Sequence, residues 1–250
     1  MRKNISSRKG FSLVEVVIAI GIVAMLLTTF MAVFGPAQKS INKALGAAEA
    51  NRLVHTLENE MAILRPEETD YTTSFDKAFQ WISGSHDKGK AILVYQYQAI
   101  PDKENNDGTL EAAGIAVING TQNIPGVDYI TQTVARRIDA STLSDELLPG
   151  VVQGRVYAVR MTQLYKKVGS NGLELLKNGE ELKPGIVNSS DDTNVLGNSV
   201  EYDDGYITLQ VEFFPLNNNL HAYVVGSGTG SWSFDKLGSP VATQNIAVRR

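Results

Sequence analysis

Gly10-Phe11-Ser12-Leu13-Val14-Glu15, followed from Val16 to Phe34 by VVIAIGIVAMLLTTFMAVF, decides how this chain is organised. The second stretch carries no charge, and only Gly21, Thr28 and Thr29 interrupt its apolar character. As a helix it covers about 28 Å at the standard rise, close to the hydrocarbon thickness of a bilayer. A secretory signal core is shorter, about 7–15 residues, and ends at a small-x-small cleavage site. Here the run leads into Phe34-Gly35-Pro36-Ala37 instead. The segment is expected to be retained as a membrane-spanning helix.

Charge on either side sets its orientation. Arg2, Lys3, Arg8 and Lys9 precede the apolar run with no acid among the first ten residues, whereas Lys39, Lys43, Glu49 and Arg52 follow it. The positive-inside rule then places the amino terminus in the cytoplasm and the body outside, as a single-pass protein of the inner membrane. Beyond Gly10 the chain carries 19 basic and 27 acidic residues, a net of −8, so nucleic acid is an unlikely partner. The absence of cysteine excludes disulfide scaffolds, thiolate metal sites and thiol nucleophiles.

Glu15 breaks the pattern. A carboxylate at the membrane-entering end of a helix costs a few kcal/mol unless it is paired or reaches back to the headgroups. The stretch from Arg8 to Val16 resembles the prepilin leader of type IV pilins and type II secretion pseudopilins: basic residues, Gly10, then Phe11, with Glu15 fifth after the cut. The resemblance implies cleavage between Gly10 and Phe11 by a prepilin peptidase and N-methylation of Phe11. It also implies that Glu15 neutralises the amino terminus of a neighbouring subunit during assembly on an inner-membrane platform. Membrane lipid and other pilin or pseudopilin subunits are the implied partners. Major subunits are usually smaller than 250 residues, so the length fits a minor or divergent pseudopilin, although tip subunits of one branch often lack the glutamate found here.

Past the membrane the helix is expected to continue. Pro36 removes a backbone donor and predicts a kink, after which Ala47, Ala50, Val54, Leu57, Met61 and Leu64 form an apolar stripe. Asn51, Arg52, His55, Glu58 and Asn59 occupy the other face, and Arg65-Pro66 supplies a stop. Four segments follow: a cleaved leader 1–10, a transmembrane assembly half 11–35, an amphipathic half 36–65 and a β-rich extracytoplasmic domain 66–250.

Ser74 reads as the N-cap of a short amphipathic helix, and Thr142–Leu148 as a helical turn. Ala91–Gln98, Ile115–Ile118, Arg155–Met161, Tyr206–Phe214 and Leu220–Val225 read as strands. Asn178-Gly179 between Leu173–Lys177 and Glu180–Leu182, and Asn217-Asn218-Asn219 before Leu220, read as hairpin connections. The expected fold is α+β: a long N-terminal helix packed against a mainly antiparallel sheet, pilin-like in the sense of the resemblance.

Signals for chemistry are poor, and no enzymatic role is expected. His55, His86 and His221 lack metal-ligand spacing, and Gly226–Ser231 has glycines but no strand–helix context or terminal lysine for phosphate. The acidic loops containing Asp102, Glu104, Asp107, Asp191 and Asp192 offer the oxygens that calcium prefers, without EF-hand spacing, and solvated turns are the favoured reading. No other cofactor is expected. A filament subunit is the leading reading of function. The alternative is a pilin-anchored binding module, such as an adhesin or a DNA-uptake minor pilin.

Overall fold

Ser12 opens the first helix by accepting, on its Oγ, a hydrogen bond from the Glu15 amide at 3.2 Å. This side-chain cap satisfies one of the donors that a helix start leaves unpaired. The computed structural model describes residues 12–114, 124–167, 169–177, 180–184, 198–226 and 231–250, and in it this helix, α1, spans Leu13–Ala62. It is unbroken at Pro36 and stops three residues before Arg65, where the sequence predicts its end. The chain divides into two compact units, Met1–Leu45 and Gly46–Arg250.

In the first unit every described residue from 12 to 45 is exposed. Thr28 and Thr29 bond their hydroxyls back to the carbonyls of Ala24 and Met25, so their polar groups are satisfied within the helix. Phe30 and Phe34, one turn apart, stack with centroids 4.1 Å apart.

In the second unit the stripe of α1 is buried as expected at Val54, Leu57 and Met61, joined by Leu53, while Leu64 is exposed. These side chains enter one core with helix α2 (Ser74–Gly84) and one face of an antiparallel sheet. The cap of α2 is Thr73, one residue before the expected Ser74; its hydroxyl accepts from the Asp76 amide at 3.1 Å.

Seven strands are found among the described residues: β1 (Ile92–Glu104), β2 (Leu110–Ala112), β3 (Ile130–Arg137), β4 (Val152–Lys166), β5 (Leu173–Leu175), β6 (Tyr206–Pro215) and β7 (Ala242–Arg249). The main path runs β2-β1-β4-β6-β7, with β3 also on β1 and β5 on β4, and all pairings are antiparallel. Central β1 sends Ile92 and Val94 into the core under α1, and Leu93, Tyr95 and Tyr97 into a second core on the opposite face. That double burial explains the nearly continuous apolar run from Ala91. Helix α3 (Leu143–Glu146), within the predicted turn, closes the second core with Leu143, beside Trp232 and Phe234.

One strand reading is corrected. Leu220–Val225 is not a strand: helix α4 occupies His221–Val225. Pro215 ends β6 because proline cannot donate to a ladder, and the Asn218 side chain then accepts from the Leu220 amide at 2.9 Å, starting a turn. Trp232 holds the new helix by donating its Nε1–H to the Val224 carbonyl at 2.8 Å. Leu173–Leu175 pairs with β4, and Lys183 donates its amide to the Gln163 side-chain oxygen at 2.7 Å. The turn at Asn178-Gly179 and the strand expected at Ile115–Ile118 lie outside the described residues.

Candidate functional site

Two groups of residues could carry function: the bare first half of α1, and a charged cluster in the second unit. On α1, Glu15 is the only charged residue between Ser12 and Gln38, and it lies in the first turn, where the helix dipole favours a carboxylate. Ser12 and Glu15 have the S-x-x-E spacing of a capping box. The sequence reading missed this signal, although SLVE displays it. Leu13, Val17, Ile20, Val23, Leu27 and Phe34 stand more than half exposed. Each such side chain gains about 1.5–3 kcal/mol from leaving water, so the helix is complete only when lipid or protein surrounds it. Among the described residues α1 is the one helix long and apolar enough to cross a membrane.

The charged cluster is built on the end of α1. Glu60 accepts from Arg65 Nε at 2.8 Å and from the buried Lys77 ammonium of α2 at 2.8 Å, and Lys77 also meets Glu68 at 2.8 Å. Burial works against the charge of Glu60. The Arg65 hydrogen bonds and the Lys77 charge outweigh it and hold the carboxyl below its ordinary range. Nearby, Arg136 of β3 binds Asp107 at 2.5 Å and Glu146 of α3 at 2.8 Å, and Tyr95 donates its hydroxyl to Glu146. Burial, with the Glu146 charge beside it, pushes the Tyr95 hydroxyl well up, so it stays protonated.

A cleft of about 490 Å³ lies over this cluster, lined by Arg65, Tyr71, Trp81, Arg136 and Arg137 among others. Its guanidinium groups are occupied: Arg65 by Glu60, Arg136 by Asp107 and Glu146, and Arg137 by Asp139 at 2.6 Å and the Tyr71 hydroxyl at 2.8 Å. The cluster ties α1, α2, β3 and α3 together.

Among the described residues the calcium candidates do not gather into one site. Asp107 spends one oxygen on the Thr109 amide and hydroxyl and the other on Arg136. Asp102 and Glu104 are exposed at the end of β1, and Asp191 and Asp192 lie outside the described residues. Among the described residues no three carboxylates or imidazoles gather as a metal site. His55 is paired with Glu58 at 3.2 Å on α1, and His221, expected on a strand, lies in α4.

Gly10 and Phe11 also lie outside the described residues. Residues 5–31, which contain them and Glu15, match the family model described as the prokaryotic N-terminal methylation motif. The chain carries a prepilin-type segment. The motif supports a type IV pilin-like protein processed by prepilin peptidase, and it points to a structural protein that joins other pilin subunits. The same motif together with the exposed apolar helix supports membrane anchoring. Neither a curated protein nor a solved structure matches the chain.

Proposed function

We propose that this protein is a structural subunit of a type IV pilus-like or type II secretion pseudopilus filament, minor or divergent within that class. Its leader 1–10 is removed between Gly10 and Phe11, and Phe11 is N-methylated. The half 11–35 then serves first as the membrane anchor and later as the assembly element, with 36–65 carrying the domain 66–250 outside the inner membrane. The observation that supports this reading best is the methylation motif running directly into a helix whose every described residue to position 45 is exposed. A helix left bare in the isolated chain needs lipid in the resting state and neighbouring helices in a filament.

Glu15 takes the role of neutralising a neighbour's new amino terminus. Both charges are costly alone in hydrocarbon, so assembly pairs them. Intact-mass and amino-terminal peptide analysis of the protein from membranes with active prepilin peptidase tests the processing. A mature chain beginning at methylated Phe11 is expected, and a chain still beginning at Met1 refutes it. Glu15→Val is expected to insert normally and to be lost from filaments; normal incorporation of that variant would sink the charge pairing.

A further inference from the structure

The ladder between β6 and β7 determines which backbone groups of β7 remain unused. Its register is unbroken from Tyr206↔Arg249 to Phe213↔Ala242. The Arg250 amide donates to the Gly205 carbonyl at 2.9 Å, so Gly205 and Arg250 form a hydrogen-bonded pair one step beyond that register. Bonded and non-bonded pairs alternate in an antiparallel ladder. Gln244, Ile246 and Val248 therefore direct their amides and carbonyls to β6, whereas Thr243, Asn245, Ala247 and Arg249 direct theirs away from it. Those four residues are all exposed, and among the described residues β7 is the last strand on its side of the sheet.

Open edges are normally guarded by short strands, bulges, prolines, lysines or inward-pointing charges. The opposite side of this sheet has such guards. There β2 is three residues long, the β1–β2 register shifts between Ala99 and Glu104, and β3 turns Arg136 inward onto Asp107 and Glu146. β7 has none: ATQNIAV is regular and uncharged, and its one charge is Arg249 at the end. Arg249 is exposed, and among the described residues it has no ion-pair or hydrogen-bond partner.

We propose that the outer edge of β7 is a docking site for an extended segment of another protein, which adds as a further strand and sets a carboxylate beside Arg249. Ladder hydrogen bonds supply affinity in this mode, and alternate side chains supply choice. On the α1 face, Ile246 and Val248 sit at the rim of the first core, and apolar partner residues there would extend it. On the other face, Thr243, Asn245 and Ala247 favour small polar or β-branched neighbours.

The test uses the full chain in detergent micelles and a synthetic peptide, Glu-Thr-Val-Thr-Ile-Thr-Val, with amide exchange followed residue by residue by NMR. In the free protein the amides of Thr243, Asn245, Ala247 and Arg249 exchange fast. With peptide near 1 mM they are expected to slow at least about tenfold, consistent with a dissociation constant well below that concentration. Ala247→Pro removes an outward donor without touching the β6 ladder, so it abolishes the response at an unchanged melting temperature. Arg249→Glu transfers the preference to the same peptide with lysine in place of its glutamate, and this keeps the proposal testable should the proline variant misfold. No slowing of the four amides with peptide overturns the proposal. Protection that is already present without peptide and grows with protein concentration also overturns it, since the occupant is then a second copy of this chain.

Discussion

Lys77 has no exposed side-chain surface and stands between the carboxylates of Glu60 and Glu68. Replacing it by methionine keeps the volume and leaves the buried Glu60 and the half-buried Glu68 without the ammonium between them. Loss of one partner from a buried pair costs about 3–5 kcal/mol, and denaturant unfolding of Lys77→Met is expected to show a loss of that order. The same cluster makes stability depend on acid. Glu60 and Asp107 are both held below the ordinary carboxylate range; burial opposes their charge, but hydrogen bonds from Arg65 to Glu60 and from Thr109 to Asp107, with the Lys77 and Arg136 charges, outweigh it. The unfolded chain therefore takes up protons first as pH falls. The stabilisation is complete above about pH 5 and drains away below about pH 4 as the folded-state values are crossed. Melting temperatures measured from pH 7 to 3 should fall in that window, and a flat profile there would contradict the assignment. The Lys77–Glu60–Glu68 grouping was not legible in the sequence, because the three residues are separated by eight and nine positions along a helix end, a turn and a second helix.

At the scale of elements, the second half of α1 was readable because its apolar residues recur every three or four positions. Leu57 lies at the centre of the stripe and is fully buried. Leu57→Ala is expected to destabilise the domain by about 2–5 kcal/mol in denaturant titration, a cost that combines lost transfer energy with the cavity left behind. Asn59→Ala on the exposed face should change little. The readings that failed were short. His221–Val225 has the β-branched look of a strand, yet Pro215, the Asn218 turn and Trp232 make it helical. β3 and β7 escaped notice because at least half the residues of ITQTVARR and ATQNIAVR are polar, and they are strands only because β1 and β6 offer them ladders.

For the molecule as a whole, the domain depends on close approach between parts far apart in sequence. Glu49 of α1 accepts from the Tyr157 hydroxyl at 2.9 Å, and Gly154, at φ +65°, leaves room for it: a Cβ there would meet the Glu49 carboxylate at 2.9 Å. Gly154→Ala is expected to cost about 1–3 kcal/mol from the left-handed backbone and the displaced carboxylate, read as a lower melting temperature. Should the melting temperature hold, the helix does not depend on that contact.

The sequence alone determined the prepilin-type segment, the long helix and the α+β class. Each of these rests on local order: a motif within residues 5–31, a charge-free run as long as a bilayer is thick, and a hydrophobic period of 3.6 followed by β-branched stretches. Only the tertiary structure decided the strand order, the two cores on opposite faces of the sheet, the charged Glu60–Lys77–Glu68 and Asp107–Arg136–Glu146 groups, and the unguarded edge of β7. Those features depend on which distant segments meet. Pairing free energy is shared between two strands, and a charge can stay buried only where its partner arrives from elsewhere in the chain.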